Sequence, residues 1–312
     1  MSDEHTPNVV ILFTDQQRRD TIAACGSNHM VTPNLDRLVR EGRWYRNACT
    51  PNPVCIPARH NLLTGLPARF HGYAANNEQP LDHTLPVLPR ILADNGYDTR
   101  AIGKMHFRPP RRHNGFAKME LMEEIPAFRE DDEYAMYLKE VGQGNVQNIH
   151  GVRNLLYMMP QRSLIPEEHH GSSWVGDRAA AYIRQTAGRR PFFLWAGWIA
   201  PHPPFDVPDS LADLYADAGL PEPLRSETPL SVPAAESAGF ADLTSGREHE
   251  QIRRMRELYA AAVTLVDRNV GKVLDALEET GELDNTFILF TSDHGEMLGD
   301  HGCFQKMLPY DS

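Results

Sequence analysis

Three short apolar runs constrain the fold of this chain more than any other feature: NVVILF (8–13), PFFLWAGWIA (191–200) and TFILF (286–290). They are rich in β-branched and aromatic residues, show no polar alternation, and are far too short to span a bilayer. A strand of that composition must be covered on both faces, as in a parallel sheet packed between helices. Segments of helical pattern lie between the runs. TPNLDRLVREG (32–42) reads as a helix with Thr32 as N-cap, Pro33 in the first turn and Gly42 as the stop. Residues 58–66, 85–97, 173–187 and a long amphipathic stretch over 248–279 follow the same period, and DTRAIGKM (98–105) is a further strand. The expected fold class is α/β, with a largely parallel central sheet sandwiched by helices.

Two stretches, 107–170 and 203–246, break this rhythm. Rich in Pro, Glu, Met and aromatics, they read as insertions of the kind that shape the mouth of a site. A net charge of −11 argues against nucleic-acid binding, although a local basic cluster can still hold a small anion. The one basic run, RPPRRH (108–113), is either a proline-stiffened solvated loop or a rim that attracts a polyanionic substrate. Cys25, Cys49, Cys55 and Cys303 form no CxxC pair, and MSDEHTPNVV lacks a basic start followed by an apolar run. Reduced thiols, a cytoplasmic location and no membrane partner are therefore expected.

Polar residues gather where the strands end. Asp15 follows the first run, Lys104 and His106 close the second strand, His202 follows PFFLWAGWIA, and Asp293-His294 follow TFILFTS. In an open α/β sheet, ligands bind outside the carboxyl ends of the strands, so four strand ends point to one site. Asp15-Gln16 and Asp293-His294 suit one divalent cation held by carboxylates, an amide oxygen and an imidazole. Glu296, Asp300 and His301 in SDHGEMLGDHG (292–302) are either further ligands or turn residues.

The string Cys55-Ile-Pro57-Ala-Arg59, followed by Leu63-Thr64-Gly65, resembles the signature of the type I sulfatases of the alkaline-phosphatase-like superfamily. The accompanying pieces occur in the same order: VILFTDQ, GKMH (103–106), APHPPF (200–205), SDHG (292–295) and Lys306. The Asp-Gln and Asp-His pairs are similar to the branch containing choline sulfatases and phosphonate monoester hydrolases. The resemblance implies that Cys55 is oxidised to formylglycine by a formylglycine-generating enzyme that reads Pro57 and Arg59. One hydroxyl of the hydrated aldehyde then attacks and the other drives sulfate out, a release route that a plain thiolate lacks.

It further implies one divalent metal at Asp15, Gln16, Asp293, His294 and the modified Cys55. Calcium or manganese is expected, with magnesium also admissible; the amide and imidazole move the site toward manganese. Arg59 and Lys104 would offset anionic charge, and His106 would contact the diol as base. His202 and Lys306 would touch the transferring group and protonate the leaving alcohol, and Asn76 or its neighbour Asn77 would face the substrate. The substrate would be a small-molecule or saccharide sulfate ester. A phosphonate monoester or phosphodiester is the alternative at the same site, and a non-catalytic anion-binding fragment is the third reading. Because members of the family run longer, residues 1–312 are expected to be an N-terminal catalytic domain without the smaller C-terminal subdomain. Oligomeric state stays open, a homo-oligomer included.

Overall fold

The computed structural model describes residues 6–77, 79–155, 159–225 and 249–308. Its strands are β1 (Asn8–Asp15), β2 (Asp98–Gly103), β3 (Lys118–Leu121), β4 (Phe192–Pro201) and β5 (Thr286–Ser292). They form one all-parallel sheet in the order β3-β2-β4-β1-β5. The α-helices among the described residues are α1 (Pro33–Glu41), α2 (Cys55–Thr64), α3 (Ala68–His71), α4 (Leu88–Asp94), α5 (Glu133–Glu140), α6 (Gly171–Thr186), α7 (Asp209–Ala212) and α8 (His249–Glu279). None of them is long and apolar enough to cross a membrane.

The two-residue period of a strand divides each apolar run between two cores. Val10, Leu12, Phe192, Leu194 and Ala196 pack against α6 and α8 through Val175, Ile183, Val266 and Val270. Ile11, Phe13, Phe193 and Trp195 face the other way, onto Ile56 and Leu63 of α2. This is the expected α/β class, and the elements foreseen from pattern lie within three residues of their observed ends. β5 departs from expectation: among the described residues it is an edge strand, and Phe287 is 61% exposed rather than covered on both faces.

The stretch 107–170 is not wholly an insertion, because it contains β3 and α5. Four residues, KMEL, carry no β-branched side chain and are too few to display a period. Thr32 does stand before α1, but its side chain does not cap the helix. Its hydroxyl instead donates to Asp36 (3.1 Å) and accepts from the Ala23 N–H (2.9 Å). The capping acceptor is Asp267 of α8, which takes the N–H groups of Leu35 (2.7 Å) and Asn34 (3.3 Å). Helix α2 starts at Cys55, ahead of the expected residue 58, because Pro57 lies in a first turn whose N–H groups have no partner within the helix.

His60 links the helix to acid stability. Its ring is wholly buried, 4.1 Å from that of Tyr73, and burial pushes its pKa down to about 4. Protonation then favours the unfolded chain, so the stabilisation is complete above the ordinary imidazole pKa of about 6.5 and is lost as pH falls toward 4. Urea unfolding at pH 7 and pH 4.5 should differ by about 2–3 kcal/mol less in His60→Asn than in the parent. An unchanged difference would show that this ring is not the acid-sensitive group.

Candidate active site

Four strand ends meet α2 at the carboxyl edge of the sheet. Close approach of β2 to β4 sets up the first of them. Gly103 has φ +94°, and a Cβ there would lie 2.0 Å from the Gly197 carbonyl oxygen, so only glycine fits. The next N–H, of Lys104, donates to that same carbonyl (2.8 Å) and turns the lysine inward, where it is wholly buried.

Arg59 lies one helical turn after Cys55 on α2 and is also wholly buried. Its guanidinium donates to Asp15 Oδ2 (2.9 Å), Asp293 Oδ2 (3.2 Å) and the Lys104 carbonyl (2.8 Å), tying together the ends of β1, β5 and β2. The planar five-donor fork is suited to three acceptors that a lysine could not satisfy together. Lys104 Nζ contacts both Asp15 and Glu124. Burial alone would raise the Asp15 carboxyl, but the Lys104 and Arg59 cations hold it well below the usual carboxylate range.

Cys55 is the first residue of α2. Its Sγ lies 3.2 Å from His294 Nε2, 3.2 Å from Lys306 Nζ and 3.9 Å from Asp15 Oδ1. Lys306 Nζ also donates to Gln16 Oε1 (2.8 Å) and lies 3.2 Å from His202 Nε2. Both histidines place Nδ1 against a backbone carbonyl, His294 at Gly295 (3.1 Å) and His202 at Pro203 (2.8 Å). Nδ1 therefore carries the proton, and Nε2 presents a lone pair toward the sulfur or the lysine. Burial, with Lys306 next, pushes His202 well below the ordinary imidazole value. Burial and the Asp15 carboxylate push the Cys55 thiol up. Burial would lower Lys306, but Cys55, Asp15 and Asp293 outweigh it and keep the ammonium charged.

The remaining expected residues surround a cavity of about 410 Å³ that opens onto Cys55, His202 and Lys306. Asn76 lines it, whereas Asn77 does not; Asn76 Oδ1 also accepts the Ile56 N–H (3.0 Å) at the start of α2. His106 lines it from a left-handed conformation (φ 58°), held by its N–H to Glu123 Oε1 (2.8 Å). Cys55, Arg59, Asn76, Lys104, His106, His202, Lys306 and the four expected metal ligands all lie at this edge.

Glu124 and Arg153, 2.9 Å apart as an ion pair, line the same cavity and were not foreseen. Glu124 comes shortly after β3 as His202 comes after β4. The same strand-end rule would have found it had KMEL been recognised as a strand. Lys104 is shared between the Asp15 and Glu124 carboxylates. Glu296 and Asp300 brace the loop after β5. Glu296 accepts from the Gln16 amide and the N–H groups of Leu298 and Gln305, while Asp300 pairs with Arg18 at 2.8 Å.

Donor atoms of Asp15, Asp293, His294 and Cys55 lie within 4.8 Å of one another. Two buried carboxylates, a bare imidazole nitrogen and a sulfur position fit one divalent cation. Gln16 is beside them, with its amide oxygen on Lys306 and its amide nitrogen on Glu296.

The parallel α/β sheet with this cluster at its carboxyl edge has the alkaline-phosphatase-like fold expected from the sequence. Among solved structures, a phosphonate monoester hydrolase of Agrobacterium radiobacter superposes with a TM-score of 0.76 at 23% identity, over 96% of this chain and 67% of that one. The chain belongs to the sulfatase family, whose model matches residues 7–311. It is 30% identical over 318 residues to an arylsulfatase of Clostridium perfringens, covering 98% of this chain and 66% of that protein. It is 29% identical over 317 residues to a choline-sulfatase of Rhizobium meliloti, covering 96% and 60%. The chain thus spans somewhat under two thirds of the length of these curated relatives.

Proposed function

We propose that this chain carries the active site of a sulfuric ester hydrolase, acting on a small-molecule or saccharide sulfate ester from position 55. The carrying observation is the setting of Cys55: at the start of a helix, against Lys306, His294 and Asp15, and facing the cavity of about 410 Å³. As a thiol it is a poor nucleophile there, because burial and Asp15 disfavour the thiolate. Formylglycine at this position, made by a formylglycine-generating enzyme that reads Pro57 and Arg59, would supply a hydroxyl nucleophile able to release sulfate. A divalent cation held by Asp15, Asp293 and His294, with Gln16 and residue 55 beside them, would supply Lewis acidity; the imidazole favours manganese over calcium.

The chain's own groups do the rest. Arg59 keeps the two buried aspartates in register through its hydrogen bonds to both. Lys306 holds a sulfate oxygen in the cavity and delivers a proton to the departing alcohol, with the neutral Nε2 of His202 orienting it. His106, kept neutral by burial and by Lys104 and Arg59, serves as base. Lys104 balances Asp15 and Glu124, and the Asn76 amino group is left to the substrate because its oxygen caps α2. The superposing phosphonate monoester hydrolase supports a second reading, since tetrahedral sulfuryl and phosphonyl groups place the same demands on these donors.

The test uses protein coexpressed with a formylglycine-generating enzyme. Mass spectrometry of the peptide over 47–69 should find the Cys55 thiol exchanged for an aldehyde oxygen. Aryl sulfate should turn over faster than phenyl phosphonate, with activity lost on chelation and restored by manganese. Faster phenyl phosphonate turnover selects the second reading. An unmodified Cys55 with anion binding and no turnover leaves the anion-binding reading.

A further inference from the structure

We propose that Glu123, which does not line the catalytic cavity, is a positioning residue of the site: it clamps the turn after β2 so that His106 faces the substrate. The inference deepens the hydrolase reading and rests on it, because His106 is the base of that reading.

Residues 103–106 leave β2 by an unusual path. Gly103 has φ +94° and His106 φ 58°. A left-handed backbone at a residue with a side chain is uncommon and carries a cost that its surroundings must offset. The polar backbone groups of the turn also need partners. The Gly103 carbonyl accepts the Met122 N–H (3.2 Å), the Lys104 N–H donates to the Gly197 carbonyl (2.8 Å), and the Lys104 carbonyl accepts from Arg59 (2.8 Å). That leaves the N–H groups of Met105 and His106. Both donate to one oxygen, Glu123 Oε1, at 3.0 and 2.8 Å. Successive N–H groups that converge in this way form an anion-binding concavity, here filled by the chain's own carboxylate.

Glu123 is itself held in place. It is 6% exposed, and its N–H donates to Asp132 Oδ2 (2.7 Å). The other oxygen of Asp132 caps α5 by accepting the Ala135 N–H (2.8 Å). The clamp is thereby anchored to the start of a helix.

What the clamp controls is the imidazole. His106 lines the catalytic cavity, and its Nδ1 is buried without a hydrogen-bond partner. No bond at that nitrogen fixes the ring, so its direction is set by the backbone and by packing. Without Glu123 two N–H groups lose their acceptor, and His106 is free to leave the left-handed conformation. Its Cα–Cβ bond then points elsewhere, and a displacement of about 1 Å is enough to cost about 10²-fold in rate. The neighbouring Glu124 plays a different part, since it lines the cavity and meets Lys104 directly.

The experiment compares the parent with Glu123→Met, Glu123→Gln and Glu120→Met, each coexpressed with a formylglycine-generating enzyme and assayed on aryl sulfate with manganese. Glutamine keeps an acceptor oxygen where methionine keeps only the shape. Glu120 is a buried carboxylate of β3 that pairs with Arg100 at 2.6 Å and with Arg178. Glu123→Met should lower kcat per formylglycine by about 10²-fold with KM within about threefold of the parent, and Glu123→Gln should stay within about tenfold in kcat. Glu120→Met should lower the melting temperature and leave kcat unchanged. Hydrogen exchange of a peptide spanning 103–107, in protein without substrate, should quicken by about tenfold in Glu123→Met. Should that variant not fold, Glu123→Asp, one methylene too short to reach both N–H groups, must show the same two changes.

Unchanged kcat, unchanged exchange, glutamine no better than methionine, or an equal kcat loss in Glu120→Met overturns the positioning role. If the parent turns over neither sulfate nor phosphonate, the hydrolase reading fails and exchange alone decides whether Glu123 holds the turn. If the parent is active and Glu123→Met keeps its kcat, only the positioning role falls.

Discussion

Cys55→Ala is expected to lower aryl sulfate hydrolysis by about 10⁴-fold or more while the chain still folds. The side chain is small and buried, so alanine removes a sulfur and leaves the start of α2 intact. What disappears is the atom against which Lys306, His294 and Asp15 are arranged. Because those groups act as a unit around residue 55, losing the centre should cost nearly the whole catalytic effect. The measurement is kcat/KM in the presence of manganese, with a thermal melt of the same sample to establish the fold. Activity within tenfold of the parent would place the nucleophile elsewhere.

Arg59→Met should be the most destabilising single change at the site, by about 3–5 kcal/mol. The reason lies in what it leaves behind. Asp15 and Asp293 would be left in a dry setting without the guanidinium 2.9 and 3.2 Å away, and the Lys104 carbonyl would lose its donor. Arg59→Lys should recover only part of the loss, because a single ammonium cannot reach three acceptors in different directions. Urea unfolding of the three proteins at pH 7 measures it. A loss under about 1 kcal/mol would mean that Lys104 and the histidines carry the buried aspartates without Arg59.

These two residues also mark how much of the site was open to inspection in the sequence. Cys55 and Arg59 stand four apart in one motif, and helical spacing places them on one side of α2. Asp15, Lys104, His202 and Asp293 could be placed at one edge because each follows a recognisable strand. Glu124 could not, since its strand is four residues long and lacks β-branched side chains. The roles of Glu296 and Asp300 were equally hidden: a carboxylate in a glycine-rich loop reads the same whether it binds an ion or braces a turn. Their bracing partners, Gln16 and Arg18, come from the other end of the chain and are visible only in the structure.

The sequence by itself determined the parallel α/β sheet, the two central strands and the chemical types gathered at their ends. Burial on both faces and helical period are local properties, written into consecutive residues. Tertiary structure alone decided the pairings. Arg59 meets Asp293 across 234 residues, Asp267 of α8 caps a helix that Thr32 was expected to cap, and β5 stands at an edge with Phe287 in solvent. A local pattern states that a group must be buried or a helix end satisfied. Which distant residue meets that need depends on how the elements pack.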